Sequence, residues 1–223
     1  MSLANPFASR RVGTQQTESL RHIIKVCGIT CEEDARIAVD AGANALGFNF
    51  YPNSPRYVAP ECAAQIIERV PGDYVKVGVL VADGGVGRRT GVLPHKVKLD
   101  VLQIYGEIDL PGDYRIWRAV AAGAALPPEG TFEALLLDSY TPHHGGSGKP
   151  FDWALVKAIQ HRILIAGGLD ASNVAEAVRV ARPWGVDACS RLESKPGKKD
   201  AVRVRDFVKA ALSALTVSQE IAS

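Results

Sequence analysis

The sequence lacks long hydrophobic runs and any strong excess of charge. No segment approaches the roughly 18 consecutive apolar residues that indicate a membrane-spanning helix. The 223 residues carry a net charge of +2, which is too small to predict a nucleic-acid or membrane partner. The segment 1–22 is polar and lacks the apolar core of a secretory signal. We expect a disordered extension there, with a transit peptide as the alternative.

Cysteines are few, and the five histidines include only one adjacent pair. The four cysteines lie on unrelated segments without metal-site spacing: Cys27, Cys31, Cys62 and Cys189. They predict free thiols in a reducing compartment, the cytoplasm. The adjacent His143 and His144 suggest a metal, but neighbouring residues rarely ligate one ion. We therefore expect no metal site.

What the chain does contain is a repeated alternation of strand-like and helix-like stretches. The first strand lies in 23–30 and breaks at Gly28, directly after Cys27. Further strands are predicted at 45–50, 75–81, 101–104, 115–120, 134–137, 163–166 and 186–189. Helices are predicted at 32–41, 60–70, 153–159, 173–181 and 201–212. Eight strands with interleaved helices predict a single-domain α/β fold, a (β/α)8 TIM barrel, spanning 23–214, with 215–223 as a tail.

Two connections interrupt this alternation. The segment 82–98 has four glycines and one proline without apolar periodicity, which disfavours a regular helix. The segment 106–114 is too short for an ordinary helix. We therefore expect irregular third and fourth βα units.

The carboxyl ends of barrel strands carry the candidate chemistry. Cys27 ends the first strand and Asp138 follows the sixth, so a thiol and a carboxyl group are expected to act as a general acid and base across a small substrate. Gly168 and Ser190 follow strands seven and eight, where such barrels frequently bind phosphate. The run 145–149, GGSGK, adds amides and one cation, although its spacing is not that of a P-loop.

An ordered set of motifs resembles the phosphoribosylanthranilate isomerase family of tryptophan biosynthesis. The motifs run from about Ile24 to Val208: KVCGIT, GFNFYPNSPRYV, KVGVLV, LDVLQIYGE, LLDS, GGSGKPFDW, AGGL and ESKPGKKD. The resemblance implies a (β/α)8 barrel that converts N-(5-phosphoribosyl)anthranilate to 1-(2-carboxyphenylamino)-1-deoxyribulose 5-phosphate by an Amadori rearrangement. It also implies that the partner is this small phosphorylated molecule, with no metal or organic cofactor. The chain is expected to be a monomer or a homodimer.

The resemblance also assigns roles to particular residues. Cys27 falls on the general base that removes the proton from C2 of the ribose, and Asp138 on the general acid that protonates the ring oxygen. Arg56 corresponds to the arginine that meets the anthranilate carboxylate. Gly168 and Ser190 correspond to the phosphate-binding strand ends. For these roles the pKa of Asp138 must be raised and that of Cys27 lowered.

Two positions depart from the family pattern. Arg191 replaces a usual glycine, where its side chain either obstructs the phosphate or adds a charged contact. Tyr105 replaces a usual active-site histidine. These departures keep open a weakened or inactive phosphate-binding barrel. A barrel isomerase of the histidine pathway is a second alternative, disfavoured because its strand-end pair is two aspartates. Taken alone, Cys27 is more simply a buried core thiol and Asp138 a turn former.

Overall fold

The computed structural model describes residues 21–82, 97–108, 114–139 and 150–220. Eight parallel strands form a closed barrel in the order β1-β2-β3-β4-β5-β6-β7-β8. The strands are β1 (Ile23–Cys27), β2 (Ala45–Asn49), β3 (Val75–Val81), β4 (Val101–Tyr105), β5 (Ile116–Ala121), β6 (Ala134–Asp138), β7 (Ile163–Ile165) and β8 (Gly185–Ala188). The predicted (β/α)8 barrel is confirmed. Each strand begins within two residues of its predicted start.

Helices pack around the outside of the barrel, and their first turns carry residues that favour helix formation. They are α1 (Glu32–Asp40), α2 (Pro60–Arg69), α3 (Val174–Ala181) and α4 (Ala201–Glu220). Three acidic residues occupy the first turn of α1, where they interact favourably with the helix dipole. Pro60 begins α2, a position at which its missing N–H costs nothing. Among the described residues, no helix has the length and apolar character needed to cross a membrane.

Strand alternation divides the apolar residues between two cores. Side chains such as Ile24 and Val26 of β1 face the helices. Ile23 faces the barrel interior, in a cluster that contains Val77, Leu136 and Trp117. The Trp117 ring meets the edge of Trp184 at 5.8 Å between centroids. This apolar floor fills the amino-terminal end of the barrel and leaves polar residues for the other end.

A short hairpin follows β8 and reaches the carboxyl end of the barrel. It consists of a 3₁₀ turn η2 (Ser190–Leu192) and the antiparallel strands β9 (Glu193–Lys195) and β10 (Lys198–Lys199). Gly197 turns it with φ of +79°, a conformation that favours glycine. This hairpin carries Glu193 and Lys199 to the barrel mouth and was not predicted from the sequence.

The predicted helix 153–159 is wrong. The structure has a 3₁₀ helix η1 (Trp153–Val156), in which Lys157 N–H donates to the Ala154 carbonyl three residues earlier. Asp152 caps it by accepting from the Ala154 N–H at 3.0 Å. Val156 is the buried residue of this helix, whereas Leu155 is exposed. One buried side chain gives too little apolar contact to extend a regular helix.

Two further elements differ from expectation. The closing helix α4 runs to Glu220 rather than residue 212, because Leu215 is still buried against the barrel. The connection 122–133 between β5 and β6 contains no helix, which the sequence analysis had not singled out. Gly123 and Gly130 adopt positive φ there, and two prolines at 127–128 break helical periodicity. Most of the two segments that were expected to be irregular, at 83–96 and 109–113, and nearly all of the expected extension, at 1–20, lie outside the described residues.

Candidate active site

A pocket of about 400 Å³ opens where the strands have their carboxyl ends. Strands β1, β2, β3, β4, β6 and β8 contribute side chains to it, and the loop after β7 contributes its two glycines. Its lining includes all six residues that the sequence analysis selected: Cys27, Arg56, Asp138, Gly168, Ser190 and Arg191. The fold therefore brings the expected thiol, carboxyl group, arginines and loop ends into one cavity.

Cys27 is buried in the pocket wall with 8% of its surface exposed. A hydrogen bond from the Cys189 thiol is the largest influence on it and lowers its pKa. The positive charges of Lys25 and Lys199 act in the same direction. Together these effects outweigh burial, so the pKa of Cys27 lies well below its usual value. The same hydrogen bond and burial raise the pKa of Cys189, which makes Cys189 the protonated partner.

A buried ion pair supports this thiolate from inside the barrel. Lys25 Nζ lies 2.9 Å from Asp187 Oδ1, and the lysine side chain is fully buried. Burial opposes its charge, but Asp187 and the Cys27 thiolate raise the pKa of Lys25, which keeps it protonated. Burial raises the pKa of Asp187 to about 7 despite the neighbouring Lys25. Lys25 is thus a fixed positive charge on the same strand face as Cys27.

Asp138 ends β6 with 7% of its surface exposed. Burial is the main influence and raises its pKa, and the negative charge of Cys27 raises it further. Tyr105 opposes the shift, because its hydroxyl donates to Asp138 Oδ2 at 3.1 Å. Burial also raises the pKa of Tyr105 well above its usual value, so the phenol stays neutral and remains a donor. Gln103 Nε2 donates in turn to the Tyr105 hydroxyl at 3.4 Å.

Arg56 is held at the pocket mouth by the hairpin. Its Nε and Nη2 donate to the two carboxylate oxygens of Glu193 at 2.9 and 2.8 Å. Lys199 Nζ also donates to Glu193 at 3.0 Å. Glu193 Oε1 and Oε2 thus fix the guanidinium plane while the arginine side chain stays 15% exposed. Three of the five guanidinium N–H groups are not engaged by Glu193.

The loops after β7 and β8 form the far side of the pocket. Gly167 and Gly168 have φ of +82° and +63°, the left-handed region that favours glycine. The Gly168 carbonyl accepts from Asn173 Nδ2 at 2.8 Å, which fixes the loop. Ser190 begins η2. Arg191 Nε donates to Asp170 Oδ2 at 2.6 Å, which ties the two loops together at the rim.

Three residues in or beside the pocket were not predicted as site candidates. Asp187 and Cys189 line the pocket, and Lys25 is buried beside it; from the sequence they are predicted only as parts of strands. The available signal was position: Lys25 lies two residues before Cys27, and Asp187 two before Cys189, so each pair shares a strand face. A lone charge inside an apolar strand is costly unless it is paired. No cluster of three metal-ligating side chains occurs within the described ranges; residues 143–149 lie outside them.

The chain is similar to known proteins over most of its length. The family model for N-(5'-phosphoribosyl)anthranilate (PRA) isomerase matches residues 24–210. A protein of that name from Solibacter usitatus is 48% identical over 201 residues, which cover 86% of this chain and 98% of that protein. The chain belongs to the PRA isomerase family. The family resemblance inferred from the motifs is thereby confirmed.

Solved structures of PRA isomerases share the same barrel. The Thermotoga maritima enzyme superposes with a TM-score of 0.71 at 35% identity, covering 86% of this chain and 99% of that one. A PRA isomerase in complex with reduced 1-(o-carboxyphenylamino)-1-deoxyribulose 5-phosphate gives a TM-score of 0.66 at 31% identity, covering 86% and 99%. The two residues that depart from the PRA isomerase pattern each have a hydrogen-bond partner in this chain. Tyr105 donates to Asp138, and Arg191 donates to Asp170.

Proposed function

We propose that this chain is an isomerase that converts N-(5-phosphoribosyl)anthranilate to 1-(2-carboxyphenylamino)-1-deoxyribulose 5-phosphate. One observation carries the proposal: a single pocket holds a thiol with a lowered pKa, Cys27, and a carboxyl group with a raised pKa, Asp138. Opposite shifts of this kind are what paired base and acid catalysis requires near neutral pH. The family to which the chain belongs supports the same reaction.

The reaction begins with the acid. Protonated Asp138 gives its proton to the furanose ring oxygen, the C1–O bond breaks, and the anthranilate nitrogen forms an iminium with C1. Burial keeps Asp138 protonated before this step. Tyr105 donates to Asp138 Oδ2 and therefore stabilises the carboxylate that the step leaves behind. The other oxygen, Oδ1, accepts from Ser139 Oγ at 3.4 Å, so Ser139 also stabilises the carboxylate that remains.

The base completes the rearrangement. The Cys27 thiolate removes the proton from C2 of the opened sugar, which gives an enolamine that tautomerises to the amino ketone product. Lys25 and the Cys189 thiol maintain the thiolate before the step. Each step is a proton transfer between a side chain and the substrate, so the proposal requires no metal or organic cofactor.

The ends of the pocket suit the two anions of the substrate. Gly168 and Ser190, on the loops after β7 and β8, are proposed to meet the phosphate through backbone N–H groups. Arg191 adds a positive charge at that rim, held by Asp170. Arg56 is proposed to meet the anthranilate carboxylate, because a guanidinium fork suits that geometry and Glu193 engages two of its five N–H groups.

A silent phosphate-binding barrel is the alternative that the departures at Tyr105 and Arg191 had raised. The structure gives each departure a partner that the proposed chemistry can use, Asp138 and Asp170 respectively. Binding of inorganic phosphate without turnover of the aminosugar would favour the silent barrel. The four cysteines are free, which supports a cytoplasmic location; a monomer and a homodimer both remain compatible with the proposal.

The role of Asp138 is tested by Asp138→Asn, which keeps the shape of the side chain and removes the transferable proton. We expect kcat to fall by at least about 100-fold, the scale of a general acid. The control is Asp40→Asn at the exposed end of α1, which should leave kcat unchanged. Near-normal turnover by Asp138→Asn would remove this carboxyl group from the mechanism.

A further inference from the structure

Cys27 ends β1, and Cys189 directly follows the neighbouring strand β8. Parallel pairing of β1 with β8 places Lys25 opposite Asp187 and Val26 opposite Ala188, so Cys27 and Cys189 are the next residue along each chain after the last paired position. The side chains two residues earlier meet inside the barrel, since Lys25 and Asp187 are 2.9 Å apart. Adjacent strands lie about 4.8 Å apart, which is within the roughly 4.4–6.8 Å between Cα atoms that a disulfide spans.

The Cys189 thiol lies beside Cys27, so that it lowers the pKa of Cys27 while its own pKa is raised, and it also donates to Glu193 Oε1 at 3.9 Å. Neighbouring glycines leave the space for them. A methyl group added to Gly28 would lie 2.9 Å from Cys189 Sγ, and one added to Gly47 would lie 2.7 Å from Cys27 Sγ. Both cysteines line the open pocket, so a small solute that enters the active site reaches the pair.

We propose that Cys27 and Cys189 are an oxidisable dithiol, which hydrogen peroxide converts to an intramolecular disulfide that reversibly switches the enzyme off. The Cys27 thiolate attacks one peroxide oxygen, the O–O bond breaks, and hydroxide leaves, which gives a sulfenic acid on Cys27. The Cys189 sulfur then attacks Cys27 Sγ; the S–O bond breaks, and the hydroxyl group leaves with the Cys189 proton as water. Overall the two thiols lose two hydrogens and one peroxide becomes two waters.

The surroundings favour each part of this sequence. The positive charges of Lys25 and Lys199 stabilise the attacking thiolate, and Lys199 Nζ lies 3.8 Å from Cys189 Sγ. Cys189 lines the same pocket as Cys27, which places it to resolve the oxidised sulfur. In the disulfide Cys27 has no thiolate, so the proposed base is lost. Resolution also protects Cys27 from over-oxidation to the sulfinic acid, which reductants do not reverse.

The test treats the purified full-length chain with hydrogen peroxide and measures intact mass, peptide linkage and activity. We expect the mass to fall by two hydrogens, a cross-linked peptide pair containing Cys27 and Cys189, and complete loss of turnover that dithiothreitol restores. After oxidation, iodoacetamide should still label the exposed Cys62 but neither member of the pair. The cross-link is detected by mass and does not depend on the proposed catalytic role of Cys27. Only the loss of turnover depends on that role.

Two variants sharpen the result. In Cys189→Ser, peroxide should carry Cys27 to the sulfinic acid, and dithiothreitol should fail to restore that variant's own untreated activity. Cys62→Ser lies outside the pocket and should behave as the unsubstituted chain does. The proposal is overturned if the native chain forms no link between the two cysteines, or if Cys189→Ser recovers as fully as the native chain after the same exposure.

Discussion

Replacing Tyr105 by phenylalanine should raise the pKa of Asp138. The tyrosine hydroxyl donates to Asp138 Oδ2 at 3.1 Å, and that hydrogen bond stabilises the ionised carboxylate rather than the neutral acid. Phenylalanine keeps the ring in the pocket wall and removes this donor. The neutral form of Asp138 then gains relative to the charged form, in the direction in which burial already acts.

The size of the shift follows from the strength of one hydrogen bond. A hydrogen bond to a charged group contributes about 1.5–3 kcal/mol, and about 1.4 kcal/mol corresponds to one pKa unit. The donor–acceptor distance of 3.1 Å is long for O–H···O, which places the contribution at the weak end. We expect the pKa of Asp138 to rise by about one unit, so the acid should stay protonated to a correspondingly higher pH.

The assay is a carbon-13 NMR titration of the aspartate carboxyl groups. The Asp138 resonance is assigned as the one that Asp138→Asn removes. Tyr114→Phe serves as the matched control, because Tyr114 is exposed and precedes β5, away from the pocket. An unchanged or lowered pKa of Asp138 in Tyr105→Phe would refute the argument that this phenol tunes the acid.

Three further predictions probe other parts of the site. Lys25→Met should raise the pKa of Cys27 by removing a buried positive charge, as read from the pH dependence of thiolate absorbance; an unchanged titration would contradict this. Arg191→Gly should raise KM at least about tenfold, the lower end for a lost charged hydrogen bond, whereas a lower KM would show that the side chain obstructs the phosphate. Gly167→Ala and Gly123→Ala both strain a positive φ, +82° and +83°, but the first also brings a methyl group within 2.8 Å of Asp138 and Ser139, whereas the second meets no described atom within 4 Å. Urea unfolding should show a larger loss for Gly167→Ala, and equal losses would contradict the steric argument.

The order of elements was readable from the sequence, because apolar strands that alternate with helix-like segments indicate a parallel barrel. The predictions of helix ends failed where the local sequence pattern and the tertiary contacts favour different lengths. The segment 153–159 has helical spacing, yet Leu155 has nothing to pack against and the helix stops at Val156. Helix α4 shows the reverse effect, because burial of Leu215 carries it past its predicted end. Neither outcome is encoded within the segment itself.

The site divides in the same way. Cys27 and Asp138 were predictable because a strand end fixes where a side chain goes in a barrel. The partners that set their pKa values, Lys25, Cys189 and Tyr105, come from other positions on β1 or from strands that are distant in sequence. Their proximity depends on barrel closure and strand register, which a single sequence does not specify.

The most direct test of the proposed mechanism follows the fluorescence of freshly generated phosphoribosylanthranilate, which falls as the compound rearranges. The native chain, Cys27→Ser and the exposed-cysteine control Cys62→Ser are compared in parallel at equal concentration. The account predicts rapid decay with the native chain and the control, and decay slower by at least about 100-fold with Cys27→Ser. Decay no faster than the spontaneous rate with the folded native chain, or equally rapid decay with Cys27→Ser, would contradict it.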